Sequence, residues 1–144
     1  MKRLKPSLTE QRPLIPGGAK IDPAFCKSYL AQLKAWLEQK LKGKTRALKL
    51  VHLHADLLDP LISKVFASAQ AEGDLRFYSP GQRVALVALG GYGRRELNLH
   101  SDIDLTFLYD WKINPYIEAI SERIFYLLWD AGFDVSFSAR TIDD

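Results

Sequence analysis

The feature that most constrains this chain is the order of residues between Val84 and Tyr109. An apolar run, Val84-Ala-Leu-Val-Ala-Leu89, stops at Gly90-Gly91. A short polar segment follows, and Ser101-Asp102-Ile103-Asp104 opens a second apolar run that lasts to Tyr109. Short β-capable runs bounded by turn residues read as strands. The first run has no polar alternation, which predicts a strand buried on both faces. The second runs from Asp102 to Tyr109, and Tyr92 to Leu97 is predicted as a short helix between them.

Alternation sorts the second strand. Residues two apart share a face, so Asp102, Asp104 and Thr106 fall on one side and Ile103, Leu105, Phe107 and Tyr109 on the other. The second set suits a core. Carboxylates at that spacing repel each other, and burying them without a partner is costly. A hard divalent cation resolves the conflict: Mg²⁺ is commonly held by one or two carboxylates together with phosphate oxygens. A third predicted strand, Phe133 to Ala139, alternates in the same way, with Asp134, Ser136 and Ser138 on one face. Laid beside the second strand, it would bring Asp134 to Asp102 and Asp104. Three carboxylates would fit a two-metal site, and Asp134 would also suit a general base; the residues leave both roles open.

The glycines complement the acids. Gly90 and Gly91 let the backbone turn tightly and approach a ligand, and amides in such a turn bind phosphate oxygens. Arg94 and Arg95 follow within reach of the same anion, and a guanidinium is a permanent planar cation. Gly90-Gly91-Tyr92-Gly93 does not complete a dinucleotide-binding Gly-x-Gly-x-x-Gly, because Glu96 stands at its last position, and no Walker A pattern is present. The reading is therefore a metal-dependent nucleotide site, with Asp102, Asp104 and Asp134 as acids and Gly90, Gly91, Arg94 and Ser101 around the nucleotide.

The rest of the chain reads as a frame for this stretch. Residues 1–20 are rich in Pro and Gly without periodicity and are expected to form a flexible leader. Residues 21–82 form a helical segment. Asp22-Pro23 starts a helix carrying Phe25, Tyr29, Leu30, Leu33, Trp36, Leu37 and Leu41, with Gly43 expected at its C-terminal cap. Thr45 to Gln70 repeats the pattern. Pro60 predicts either a kink in one helix or two helices, with Asp59 capping the second. His52 and His54 lie two apart, so they face different ways, and both are expected to be solvated or core residues. Residues 71–82 read as a loop. Tyr116 to Ala131 is a third amphipathic helix, capped by Gly132. Residues 83–144 would then form the catalytic core.

Composition narrows the class. Apolar residues make up 47% and charged residues 26% of the chain, as in an ordinary globular protein. No apolar run approaches the ~18 residues of a membrane span, and no signal-peptide pattern begins the chain. The single cysteine, Cys26, has no internal partner, which favours a reducing, cytoplasmic compartment. It falls in an apolar helical pattern and is expected to fill core. A net charge of +3 is too small and too scattered to argue for nucleic acid.

With Gly90-Gly91, Arg94 and Ser101-Asp102-Ile103-Asp104 in place, the chain resembles the DNA polymerase β-like nucleotidyltransferase superfamily. Within it, Gly90 to Leu97 followed by Ser101 to Leu105 is most similar to the N-terminal domain of bacterial PII-protein uridylyltransferase/uridylyl-removing enzymes, as are Leu127 to Gly132 and the ending Ser138-Ala-Arg-Thr141. The resemblance implies an α+β fold, with a small mixed sheet flanked by helices and preceded by the helical segment. It implies Mg²⁺-dependent transfer of UMP from UTP to a tyrosine hydroxyl of a PII-like protein. It maps the acids onto Asp102 and Asp104, with Asp134 at the third position, and the nucleotide turn onto Gly90 and Gly91. Arg95 departs from the superfamily, many of whose members have glycine there. Arg95-Glu-Leu-Asn98 before the Asp-x-Asp is also similar to glutamine-synthetase adenylyltransferases, which implies ATP as the alternative donor. Enzymes of the full uridylyltransferase type are far longer, so the expectation is a fragment of a multidomain enzyme. Isolated, it would be inactive or would act as a nucleotide-binding regulatory module. An interaction domain on the N-terminal helices, with a vestigial site, is the remaining alternative.

Overall fold

The structure is a computed structural model that describes residues 11–144. The first half of the expected leader lies outside the described residues, and residues 11–22 hold no regular element. Two long helices come first. Helix α1, Pro23–Lys42, is capped by Asp22, whose carboxylate accepts from the Phe25 amide at 2.8 Å. It ends before Gly43 as its sequence predicts, but the left-handed residue is Lys44, with φ 62°, while Gly43 keeps a negative φ.

Helix α2 runs unbroken over Ala47–Ala71 and contains Pro60 in its interior. Of the two outcomes Pro60 allows, the single helix is found. Asp59 caps nothing; its carboxylate instead accepts from the Tyr92 hydroxyl. Burial explains why the helix survives its proline. Leu57, Leu58, Leu61, Ile62 and Val65 flank Pro60 and are all buried, so packing outweighs one lost backbone bond. A single 3-10 turn at Leu75–Phe77 interrupts the loop that follows.

The sheet has three strands in the order β1-β2-β3. Strand β1 is Val84–Leu89, β2 is Ile103–Tyr109 and β3 is Val135–Thr141. β1 runs antiparallel to β2 and β3 parallel to it, so the sheet is mixed as expected. The parallel pair is connected through a long helix, Pro115–Asp130, capped at its start by Asn114 and followed by Gly132 at φ 82°. It is numbered α4, because a one-turn helix, α3 (Gly90–Gly93), precedes it.

One hydrophobic cluster joins the helices to the sheet. Leu33 and Leu37 of α1, Leu58 and Leu61 of α2, Ile120, Ile124 and Leu128 of α4, and Ile103, Leu105 and Phe107 of β2 all belong to it. Cys26 is wholly buried within it, and burial raises its thiol pKa to about 11, as core filler requires. The helices cover only one face of the sheet. The expectation that β1 is buried on both faces is therefore not met. β1 is an edge strand whose residues are half-buried or exposed. Val84, Leu86 and Ala88 pack against the core, and the apolar run continues onto the open face through Ala85, Val87 and Leu89.

Candidate active site

The site forms where β1 turns back toward β2. Helix α3 begins at the glycines themselves, rather than at Tyr92. Gly90 has φ +56°, a conformation that a Cβ disfavours. A Cβ built there would run into the carboxylate of Asp104, because the ladder pairs Leu89 with Asp104 and sets the turn directly over it. The missing side chain of Gly90 is thus the space that the Asp104 carboxylate occupies. Gly93 serves the turn differently, by letting it pack against β1, since a Cβ there would lie 2.5 Å from the Ala88 carbonyl.

The register fixes what surrounds Asp104. Asp104 stands opposite Ser136, Thr106 opposite Ser138 and Leu108 opposite Arg140. The Thr106 and Ser138 hydroxyls share a hydrogen bond of 2.9 Å. Leu89, Asp104, Thr106, Ser136, Ser138 and Arg140 line an open groove of about 250 Å³ on the uncovered face. Alternation assigns Thr106, Ser136 and Ser138 to polar faces, and they meet here. Arg140 is a groove residue that the sequence reading misses. Its signal is nonetheless in the chain, because it continues the Ser136, Ser138 alternation by one more step.

The acids are distributed as follows. Asp102 is exposed just before β2, and Asp104 is half-buried within it. Strand β3 begins at Val135, so Asp134 lies one residue outside the strand, where its carbonyl accepts from the Ile103 amide at 2.9 Å. Carried back one step, the parallel register sets Asp134 opposite Asp102. Asp134 is exposed, and it is among the residues lining a second cavity, of about 170 Å³ on the helix side of the sheet, with Lys34, His54, His100 and Ser101. Among the described residues no three His, Cys, Asp or Glu side chains are gathered closely enough to hold a metal ion. Asp104 thus lines the first cavity, and Asp134 and Ser101 line the second.

The arginines separate too. Arg94 is exposed and makes a 3.4 Å contact with the exposed Glu96, a weak pair in water. Arg95 does not point to the anion site expected for it. Its guanidinium grips Asp56 of α2 through two bonds, at 2.8 and 2.6 Å, and holds that carboxyl below its ordinary pKa. Arg95 also has φ +59°, which accounts physically for glycine being the residue suited to this position.

Behind the turn, His54 is 4% exposed and its Nδ1 lies 3.2 Å from the Leu97 carbonyl. A carbonyl only accepts, so Nδ1 carries the proton and donates. Burial lowers the His54 pKa, against the raising effect of the Leu97 and Asn98 backbone bonds. His54 is the core residue it was expected to be, and it additionally ties α2 to the segment that carries Ser101 and Asp102.

The comparisons with known proteins agree with this geometry. The family described as "Putative nucleotidyltransferase DUF294" matches residues 31–137. A bifunctional uridylyltransferase/uridylyl-removing enzyme of Cereibacter sphaeroides is 40% identical over 96 residues, which is 66% of this chain and 10% of that protein. Proteins of the same name from Erythrobacter litoralis and Caulobacter vibrioides are 38% identical over 92 residues and 48% identical over 64 residues. These stretches cover 63% and 44% of this chain, and 10% and 7% of the relatives. The chain thus spans about a tenth of the length of the relatives it matches. The matched residues include most of α1, all of α2, the glycine turn and the Asp102/Asp104 strand, and on that basis the chain belongs to the DUF294 nucleotidyltransferase family.

Proposed function

We propose that this domain transfers UMP from UTP to a protein hydroxyl, a tyrosine of a PII-like regulatory protein, with release of pyrophosphate. The observation that carries the reading is the contact between the glycine turn and Asp104. A backbone turn suited to phosphate sits against a carboxylate suited to a hard cation, at the mouth of a groove lined by hydroxyls and one arginine. The relatives' name supplies the uridylyl group.

The donor set fits Mg²⁺. Asp102 and Asp104 offer hard oxygens, neither is deeply buried, and nucleotide phosphates complete such a coordination shell. Bound there, Mg²⁺ would neutralise phosphate charge and raise the acidity of the attacking hydroxyl. The chain's own residues have distinct parts in this reading. Gly90 and Gly91 amides orient the phosphates, and Ser101 donates from the rim. Arg94 and Arg140 are permanent cations for the negative charge that shifts toward the leaving pyrophosphate. The acceptor oxygen forms a bond to the α-phosphorus as the bond to the β-phosphate oxygen breaks. The hydroxyl proton must leave as that bond forms, and in this reading the Asp134 carboxylate accepts it. A cytoplasmic location belongs to the same proposal; among the described residues no helix is long and apolar enough to cross a membrane.

Calorimetric titration of UTP and of ATP, each with Mg²⁺, tests the site. The expected result is UTP binding by the wild type and none by Asp102→Asn/Asp104→Asn. Equal binding by both proteins would sink the proposal, and a preference for ATP would move it to adenylyl transfer. Transfer of label from UTP to a PII tyrosine, assayed with the chain alone, separates an enzyme from a binding module.

A further inference from the structure

Helix α2 reaches the segment between the glycine turn and β2 at three successive points. Asp59 Oδ1 accepts from the Tyr92 hydroxyl at 2.7 Å. Asp56 receives the Arg95 guanidinium through two bonds, Nε to Oδ1 at 2.8 Å and the terminal nitrogen to Oδ2 at 2.6 Å. His54 Nδ1 donates to the Leu97 carbonyl at 3.2 Å. The helix numbers fall as the turn numbers rise, so the segment is laced along the helix in order.

The middle tether is the unusual one. Arg95 occupies the left-handed region at φ +59°, which a residue with a Cβ adopts reluctantly. It lies in the middle of three amides that close the turn. The Arg94 amide donates to the Gly90 carbonyl at 3.3 Å, that of Arg95 to Tyr92 at 3.0 Å and that of Glu96 to Gly91 at 2.8 Å. An exposed ion pair adds little stability, but a two-bond arginine–carboxylate fork fixes direction as well as distance. The least comfortable backbone of the turn is thus held by the most directional side-chain contact on it.

We propose that Asp56 is a positioning residue for the nucleotide site. By holding Arg95 in its left-handed conformation it keeps Gly90 over Asp104, although Asp56 itself does not line the groove. The inference rests on the nucleotide-binding reading above. It also explains how the chain carries arginine at a position whose backbone suits glycine: Asp56 supplies from outside the constraint that glycine satisfies by having no side chain.

The test uses the full chain, with UTP and Mg²⁺ as the probe. Titration calorimetry gives affinity, amide hydrogen exchange across residues 90–97 reports the turn, and thermal melting reports the whole fold. Asp56→Asn is expected to weaken UTP binding about tenfold, in the range typical of groups that orient ligands from behind. It should speed exchange in the turn and leave the melting midpoint nearly unchanged. Arg95→Gly added to Asp56→Asn should recover affinity and slow exchange, because glycine takes the positive φ unaided. A contact that merely stabilised the fold would give no such rescue. Wild-type affinity in Asp56→Asn, or no recovery in the double variant, would overturn the inference while the wild type still binds UTP. A wild type that binds no UTP would instead overturn the nucleotide reading itself.

Discussion

Two glycines of the turn, Gly90 and Gly93, act through what they lack. Gly90 needs φ +56° and leaves the volume that the Asp104 carboxylate fills. Alanine there must strain its backbone by about 1–2 kcal/mol and push Asp104 aside. The expected outcome for Gly90→Ala is a stability loss of that size by urea denaturation. UTP affinity should fall further than stability, since each 1.4 kcal/mol lost at the site is a factor of about ten in binding. Unchanged affinity would show that the turn and Asp104 do not act together. Asp104 is assignable from its spacing to Asp102. Its contact with Gly90 is not, because the two are far apart in the chain and meet only through the β1–β2 register, which pairs Leu89 with Asp104.

At the scale of elements, α1 begins where Asp22-Pro23 says it should, whereas α4 begins at Pro115 under an Asn114 cap that the sequence reading does not single out. Asn114 shows why this matters beyond α4. Its side-chain Oδ1 accepts from the Ile117 amide at 2.9 Å, and its side-chain nitrogen donates to Gln82 Oε1 at 2.8 Å. One residue therefore starts the helix and ties it to the approach to β1. Asn114→Ala should cost about 1–2 kcal/mol, at the upper end of the range for cap removal. The check is a lower urea midpoint with an unchanged m-value. Helix α2 is the element whose integrity the sequence leaves open, and its apolar face decides the outcome. Strand β1 misleads in the other direction. An unbroken apolar run reads as doubly buried, yet Ala85, Val87 and Leu89 point to the face that the helices do not cover.

For the whole molecule, the helical layer and the sheet share one core, and His54 sits at their junction beside the site. Burial holds its pKa below the ordinary value, with Lys34 acting in the same direction. His100 and Asp134 border the same cavity. The unfolded chain takes up this proton first as pH falls, so the neutral His54 contributes stability that is full above the unfolded value of about 6.5 and is lost below it. Melting midpoints should therefore drop between about pH 7.5 and 5.5, on either side of that value. His54→Gln should flatten the slope; a variant with the same slope would assign the pH dependence to other groups. The sequence by itself determined the α+β class, the three strands, the capped start of α1, and the pairing of a glycine turn with Asp102 and Asp104. These are encoded in local periodicity, capping chemistry and short spacings that survive any arrangement of neighbours. Only the tertiary structure decided which distant groups meet. It made Asp134 part of the lining of a second cavity, turned Arg95 to Asp56 instead of the phosphate site, and drew Arg140 into the groove. Each of these outcomes depends on strand register and on helix packing against the sheet, and those are properties of the folded whole that no window along the chain contains.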